Sequence, residues 1–174
     1  MLEEFVNSVL NFITQHAEWA GLIMFLLAFG ESLIIVGILL PATWILVASG
    51  ALISNGIVSF WDIVPAAILG GFLGDWASYM VGRHFDKELP HLWPFKQNPQ
   101  ILEKALIFFE RYGILSVFIC RFMGPLRATI PTIAGMLDMP IAKFQLANIT
   151  SAIIWTPLIM SPGAILGWFF LWLK

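Results

Sequence analysis

Two arginines, Arg121 and Arg127, stand inside the apolar run FICRFMGPLRATIPTIAGMLDMP, residues 118–140. A guanidinium stays charged, and its planar fork of donors matches the oxygens of a phosphate or carboxylate. Holding such a group in apolar surroundings is expensive, so two of them within six residues point to an anion-binding site. On one unbroken helix that spacing would turn them roughly 240 degrees apart. Gly124, Pro125, Pro131 and Gly135 interrupt any simple helix there, and a Gly124–Pro125 break would let the two side chains converge. Broken-helix N-termini would add amide donors and a positive dipole end.

The third group is Glu31, an acid in the body of the apolar stretch 17–40, which ends at Pro41. An ionised carboxylate cannot bind a phosphate, so a different role is required. We assign Glu31 to proton coupling or ion pairing: it pairs with Arg121 or Arg127 in the empty site and is displaced, with protonation, when an anion arrives. The structural alternative is a static ion pair that staples two parts of the chain. Asp75, Tyr79 and Arg83 form a secondary set at i, i+4 and i+8 on a helix. An interfacial hydrogen-bond cluster is the plainer reading for them.

Composition dictates the solvent these groups sit in. The 174 residues are 59% hydrophobic and 11% charged, with a mean hydropathy of +0.86, whereas a soluble domain is about a quarter charged. The sequence therefore describes an integral membrane protein in one domain. A net charge of −2 and the lack of a basic patch exclude nucleic acid as a partner. A lone cysteine, Cys120, excludes an intrachain disulfide and any CxxC signature. His16, His84 and His91 share no metal-ligand spacing, so neither metal nor cofactor is expected. Two acids at the N-terminus replace the basic start of a signal peptide, so the membrane segments themselves are expected to target the chain.

The elements that must position the charges are helical. Residues 2–15 place Leu2, Phe5, Val6, Val9, Leu10 and Ile13 on one face and read as an amphipathic interfacial helix. Residues 17–82 form a first repeat, with 17–40 and 42–53 as two apolar arms around the Pro41 break and 59–82 as a spanning helix. Gly70 and Gly74 in that helix are four apart and invite close helix packing. Residues 83–111 hold five of the nine basic residues, Arg83, Lys87, Lys96, Lys104 and Arg111, and so form a cytoplasmic connector by the positive-inside rule. Residues 112–172 form the second repeat, whose last segment, 141–172, carries Pro157 and Pro162 and is expected to kink or break. Residues 48–52 parallel 133–137, and 59–61 parallel 143–145. The fold expected is all-α: two inverted repeats, each a broken re-entrant hairpin plus a transmembrane helix. Backbone left unpaired at such breaks must be covered by protein or a wet cavity. In inverted-repeat transporters the site lies where the breaks meet.

Three motifs in order now resemble a known family. Phe118, Arg121, Phe122, Pro125 and Arg127, continuing through Pro131, Ala134, Gly135 and Met136, resemble the signature of the DedA family, also called the VTT or SNARE-associated Golgi protein family. Glu31 ahead of a proline break, and Gly74, Asp75, Tyr79, Gly82 and Arg83, resemble its other two motifs, so the likeness covers roughly residues 21–167. One departure stands at Pro41-Ala42-Thr43: many members carry an acid where this chain has Thr43, and some members carry threonine. The resemblance implies a bacterial inner-membrane protein with no catalytic residues. It implies transport, of flippase or scramblase type, of a phosphate-bearing lipid such as undecaprenyl phosphate or a phospholipid. Protons are the candidate coupling partner. The same charges would serve a proton-coupled ion or small-solute transporter, or, less readily, a lipid phosphatase.

Overall fold

The computed structural model describes residues 2–33, 36–37, 42–85, 96, 99–123 and 127–172. Three expected break residues, Pro41, Gly124 and Pro125, lie outside these, as does most of the first half of the connector. The described residues are helical throughout, with no strands among them.

Helix α1 (Leu2–Gln15) buries Ile13 and packs Val6, Val9 and Leu10 against Ala42, Ile45 and Leu46, while Asn7, Ser8 and Asn11 stay exposed. At His16 the backbone leaves the helical region (φ −133°, ψ 64°). The chain bends by 112° into a 3-10 turn, Ala17–Trp19, and helix α2 (Ala20–Ser32). That bend makes α1 an element of its own and not the first turns of the next segment. Helix α2 ends where Leu33 becomes extended. Helix α3 (Ala42–Ser54) closes on a turn at Asn55 and Gly56, where Gly56 takes φ +71°.

Helix α4 (Phe60–His84) is capped by Ser59, whose side chain accepts from the Trp61 N–H at 3.2 Å. Such a cap satisfies one of the free donors at a helix start. Helix α5 (Pro99–Tyr112) is the amphipathic part of the connector and begins on a proline. Helix α6 (Ile114–Ile119) tightens into a 3-10 turn, Cys120–Phe122. Helices α7 (Thr129–Met136) and α8 (Ile141–Trp172) follow. Helix α4 and residues 141–169 of α8 are each long and apolar enough to cross a membrane.

Three expectations are corrected here. Pro131 does not break the chain: it is the third residue of α7, in the first turn, where no N–H is required by the ladder. Gly135 lies within α7 as well, and its lack of a side chain serves packing. Of the kink or break expected at Pro157 and Pro162, the break does not occur: helix α8 is continuous through both, because neighbouring helices and local adjustment tolerate a lost ladder bond in apolar surroundings.

The halves exchange arms. Helix α2 packs on α4 and α6 packs on α8, each on the long helix that follows it, whereas α3 packs on α8 and α7 packs on α4. The long helices also touch each other. Glycines set the closeness of the exchanged contacts in matching places. A Cβ on Gly50 would collide with the Met160 carbonyl, and one on Gly163 with the Val47 carbonyl. On the other side, a Cβ on Gly135 would strike the Tyr79 carbonyl, and one on Gly82 the Thr132 carbonyl. In each case the obstacle is backbone, which cannot swing aside. Gly135→Leu and Gly163→Leu are therefore each expected to lower stability by about 3 kcal/mol, the upper part of the usual overpacking range. Chemical unfolding in detergent checks this, and an unchanged midpoint would contradict it.

Candidate functional site

The fold brings four ionisable side chains together in two pairs, each joining an acid of the first half to an arginine of the second. Glu31 is on the last turn of α2, Asp75 is in the middle of α4, Arg121 is on the 3-10 turn after α6, and Arg127 lies two residues ahead of α7. All four are buried, with at most 7% of any one exposed. Desolvating a single charge here would be prohibitive, and pairing within the chain cancels it.

The first pair is Arg121 with Asp75, whose Nη2–Oδ2 distance is 2.5 Å. Both side chains are 1% exposed. The same Nη2 donates to Asn148 Oδ1 at 2.9 Å and to the Gly71 carbonyl at 3.1 Å. Asn148 in turn donates to the Phe72 carbonyl at 3.0 Å. Gly71 makes room for the guanidinium, since a Cβ there would stand 3.0 Å from Nη1.

The second pair is Arg127 with Glu31, Nη1 to Oε1 at 3.0 Å. The Thr43 hydroxyl, on the first turn of α3, donates to the same Glu31 oxygen. Trp155 on α8 covers one face of the guanidinium, with the ring centroid 4.0 Å from Cζ. Such stacking stabilises a cation and leaves its in-plane donors free. Among the described residues, Nε and Nη2 of Arg127 and Oε2 of Glu31 are buried without a hydrogen-bond partner, and Nη1 meets only the Glu31 carboxylate. Buried polar atoms are nearly always paired.

The sequence left two partners open for Glu31, and the geometry selects Arg127. The secondary set is divided. Asp75 faces Arg121 and does not join Tyr79 and Arg83. Tyr79 instead donates to the Met139 carbonyl at 2.5 Å, accepts from Arg83 Nη1 at 3.1 Å, and stacks on Phe144 at 4.3 Å. Arg83 also reaches Asp138 at 3.4 Å. Asp138 occupies the turn after α7 with φ 51°. These residues fasten that turn to α4 at a distance from the two arginines in sequence and in bonding. Of the residues expected to line the site, Pro131 and Gly135 belong to α7, and Pro41, Gly124 and Pro125 lie outside the described residues, next to Thr43 and Arg127 in the chain. Cys120 is buried, its thiol directed at the Val117 carbonyl at 3.2 Å.

Sequence reasoning missed Asn148 and Trp155. They are seven residues apart on α8, two turns along one face, and each contacts one arginine. An amide inside a membrane-length apolar helix was the available signal for Asn148. Trp155, far from the tryptophans at the helix end, was the signal for an aromatic with a polar task.

Comparison with known proteins places these motifs in a wider set. The VTT domain matches residues 40–165. The inner membrane protein YabI of Escherichia coli strain K12 is 40% identical over 158 residues, which cover 90% of this chain and 62% of that protein. An uncharacterized membrane protein of Buchnera aphidicola is 35% identical over 157 residues, covering 90% of this chain and 61% of the relative. The protein DedA of Escherichia coli strain K12 is 28% identical over 160 residues, or 89% and 72% of the two chains. The chain thus spans about three-fifths of the length of the first two relatives. No solved structure matches.

Proposed function

This chain belongs to the VTT-domain, or DedA, family, and on that premise we propose that it is an inner-membrane transporter that moves a phosphate-bearing lipid between leaflets. The observation that carries this reading is the open hydrogen-bonding capacity of Arg127. Among the described residues its guanidinium is buried, stacked on Trp155 and met by one carboxylate, with Nε and Nη2 to spare. A phosphate group fills such a fork with two parallel charge-assisted bonds. Relatives named as inner membrane proteins, and two helices able to span a bilayer, support the location.

In this reading Glu31 and the lipid phosphate compete for Arg127. Arrival of the phosphate displaces Glu31, which keeps the Thr43 hydroxyl as donor and takes up a proton so that the site gains no second uncompensated anion. Release of the lipid reverses the exchange. Thr43 thus stands at the place of the absent second acid as the group that orients the one acid present. The exchange of arms between the halves supports an inverted repeat of two re-entrant hairpins and two spanning helices, with α2, α3, α6 and α7 as the hairpin arms. The site then lies where the hairpin breaks meet, the arrangement that lets one half move against the other around a fixed ligand.

A second reading has one observation in its favour. The Thr43 hydroxyl donating to Glu31 beside an anion-binding arginine is the nucleophile–base arrangement that a lipid phosphatase would use. One assay separates the two. In liposomes holding the purified chain and a fluorescent polyprenyl phosphate, transport predicts that the lipid becomes accessible on the far leaflet with no phosphate released. Released phosphate would move the assignment to hydrolysis, and neither event would leave an ion or small-solute transporter. Glu31→Gln is expected to slow exchange and to flatten its pH dependence. Full exchange by that variant across a pH series would sink the coupling role.

A further inference from the structure

We infer that Arg121 is a positioning residue and not a phosphate ligand: with Asp75 and Asn148 it pins the broken hairpin of the second half to both long helices, and so presents Arg127. The assignment rests on the phosphate reading for Arg127 only in what is being presented.

The two arginines differ in how far their bonding is closed. Arg121 Nη2 meets a carboxylate, an amide oxygen and a backbone carbonyl within 3.1 Å. Two of these acceptors belong to α4 and the third to α8, and Asn148 bonds back to α4 through the Phe72 carbonyl. A single nitrogen therefore ties three elements together. Arg121 Nε and Asp75 Oδ1 lack partners, but both side chains are 1% exposed. An incoming phosphate would have to strip Asp75 of its counter-ion and leave a carboxylate buried beside a new anion, an arrangement that like-charge repulsion and desolvation both oppose.

Arg127 is the reverse case. Among the described residues its ionic partner is Glu31, which also accepts from Thr43, and Nε and Nη2 are without a hydrogen bond. Arg127 follows Arg121 by six residues in the chain. Trp155 and Asn148 lie on one face of α8, so the helix that anchors Arg121 also backs Arg127. The sequence offers two equivalent cations, whereas the structure gives one to the fold and one to the ligand.

The test uses the full chain in detergent micelles with arginine side chains labelled for NMR, titrated with farnesyl phosphate. The Nε–H signal of Arg127 is expected to shift saturably while that of Arg121 stays in place. An Arg121 signal that follows the same saturation curve would overturn the assignment. In Arg121→Met, the Arg127 signal is expected to move toward that of free arginine at temperatures far below melting, with farnesyl phosphate binding weakened about tenfold. Adding Asp75→Leu removes the stranded carboxylate. Because buried ion pairs are often replaceable by apolar pairs, it is expected to restore the melting temperature and to bring binding back to within about threefold. A double variant that regains its melting temperature but not its binding would also overturn the assignment. If neither arginine signal moves in the wild-type chain, the phosphate reading falls instead. Recovery of the melting temperature in the double variant then decides the positioning role, its absence counting against it.

Discussion

Arg127→Met, made together with Glu31→Gln so that no buried carboxylate is stranded, is expected to lose affinity for farnesyl phosphate by at least about a hundredfold. Each charge-assisted hydrogen bond contributes about 1.5–3 kcal/mol, and a phosphate on an arginine fork makes two. The smaller sum, about 3 kcal/mol, already corresponds to two decades in a dissociation constant. Methionine keeps the length and packs against Trp155, so the loss isolates the donors from the bulk. Arg127→Lys retains a charge but neither the fork nor the flat stacking face, and is expected to fall between, near tenfold. Calorimetric titration of the detergent-solubilised chain measures both, and the liposome assay should follow the same order. Equal affinity in all three chains would remove Arg127 from the site, and with it the proposed exchange with Glu31.

Asp75→Leu, by contrast, is expected to damage the fold before it touches the ligand. It leaves the Arg121 guanidinium, 1% exposed, with only neutral acceptors. Breaking one partner of a buried pair costs about 3–5 kcal/mol, because the remaining charge is stranded. For a chain of this size that corresponds to a melting temperature lower by roughly 10 °C. Asp75→Asn should cost less, since an amide oxygen can still accept from Nη2 at the same place. Thermal unfolding monitored by circular dichroism in detergent ranks the two. A leucine variant as stable as the wild type would mean that the Arg121 pair holds nothing together.

These two expectations diverge although the residues behind them look alike in the chain, and that contrast marks the reach of the sequence. Its composition fixes the solvent, and its periodicities locate α1 and α4, because membrane-length apolar runs and amphipathic faces are local properties. The cost of a charge in apolar surroundings singles out Glu31, Arg121 and Arg127 without any coordinates, whereas Asp75 entered only through its helical spacing with Tyr79 and Arg83. The parallel between residues 48–52 and 133–137 likewise anticipates the matching positions of Gly50 and Gly135 in the exchanged contacts.

Which acid meets which arginine is not a local property. Glu31 and Arg127 are ninety-six residues apart and Asp75 and Arg121 forty-six, and their meeting depends on how far each arm runs before it turns. Sequence grouped Asp75 with Tyr79 and Arg83 because they share a helical repeat. At one turn per 3.6 residues, positions i, i+4 and i+8 drift around the helix, and here Asp75 reaches Arg121 while Tyr79 reaches Met139. Pro131 and Gly135 read as breaks because their types permit one, yet the first turn of a helix accepts proline and a close helix contact demands glycine. The sequence by itself determines that this chain places two acids and two arginines within a membrane. Only the tertiary structure decides that Asp75, Asn148 and the Gly71 carbonyl gather on Arg121 while, among the described residues, Glu31 alone meets Arg127, because bonding depends on the neighbours that the folded chain supplies.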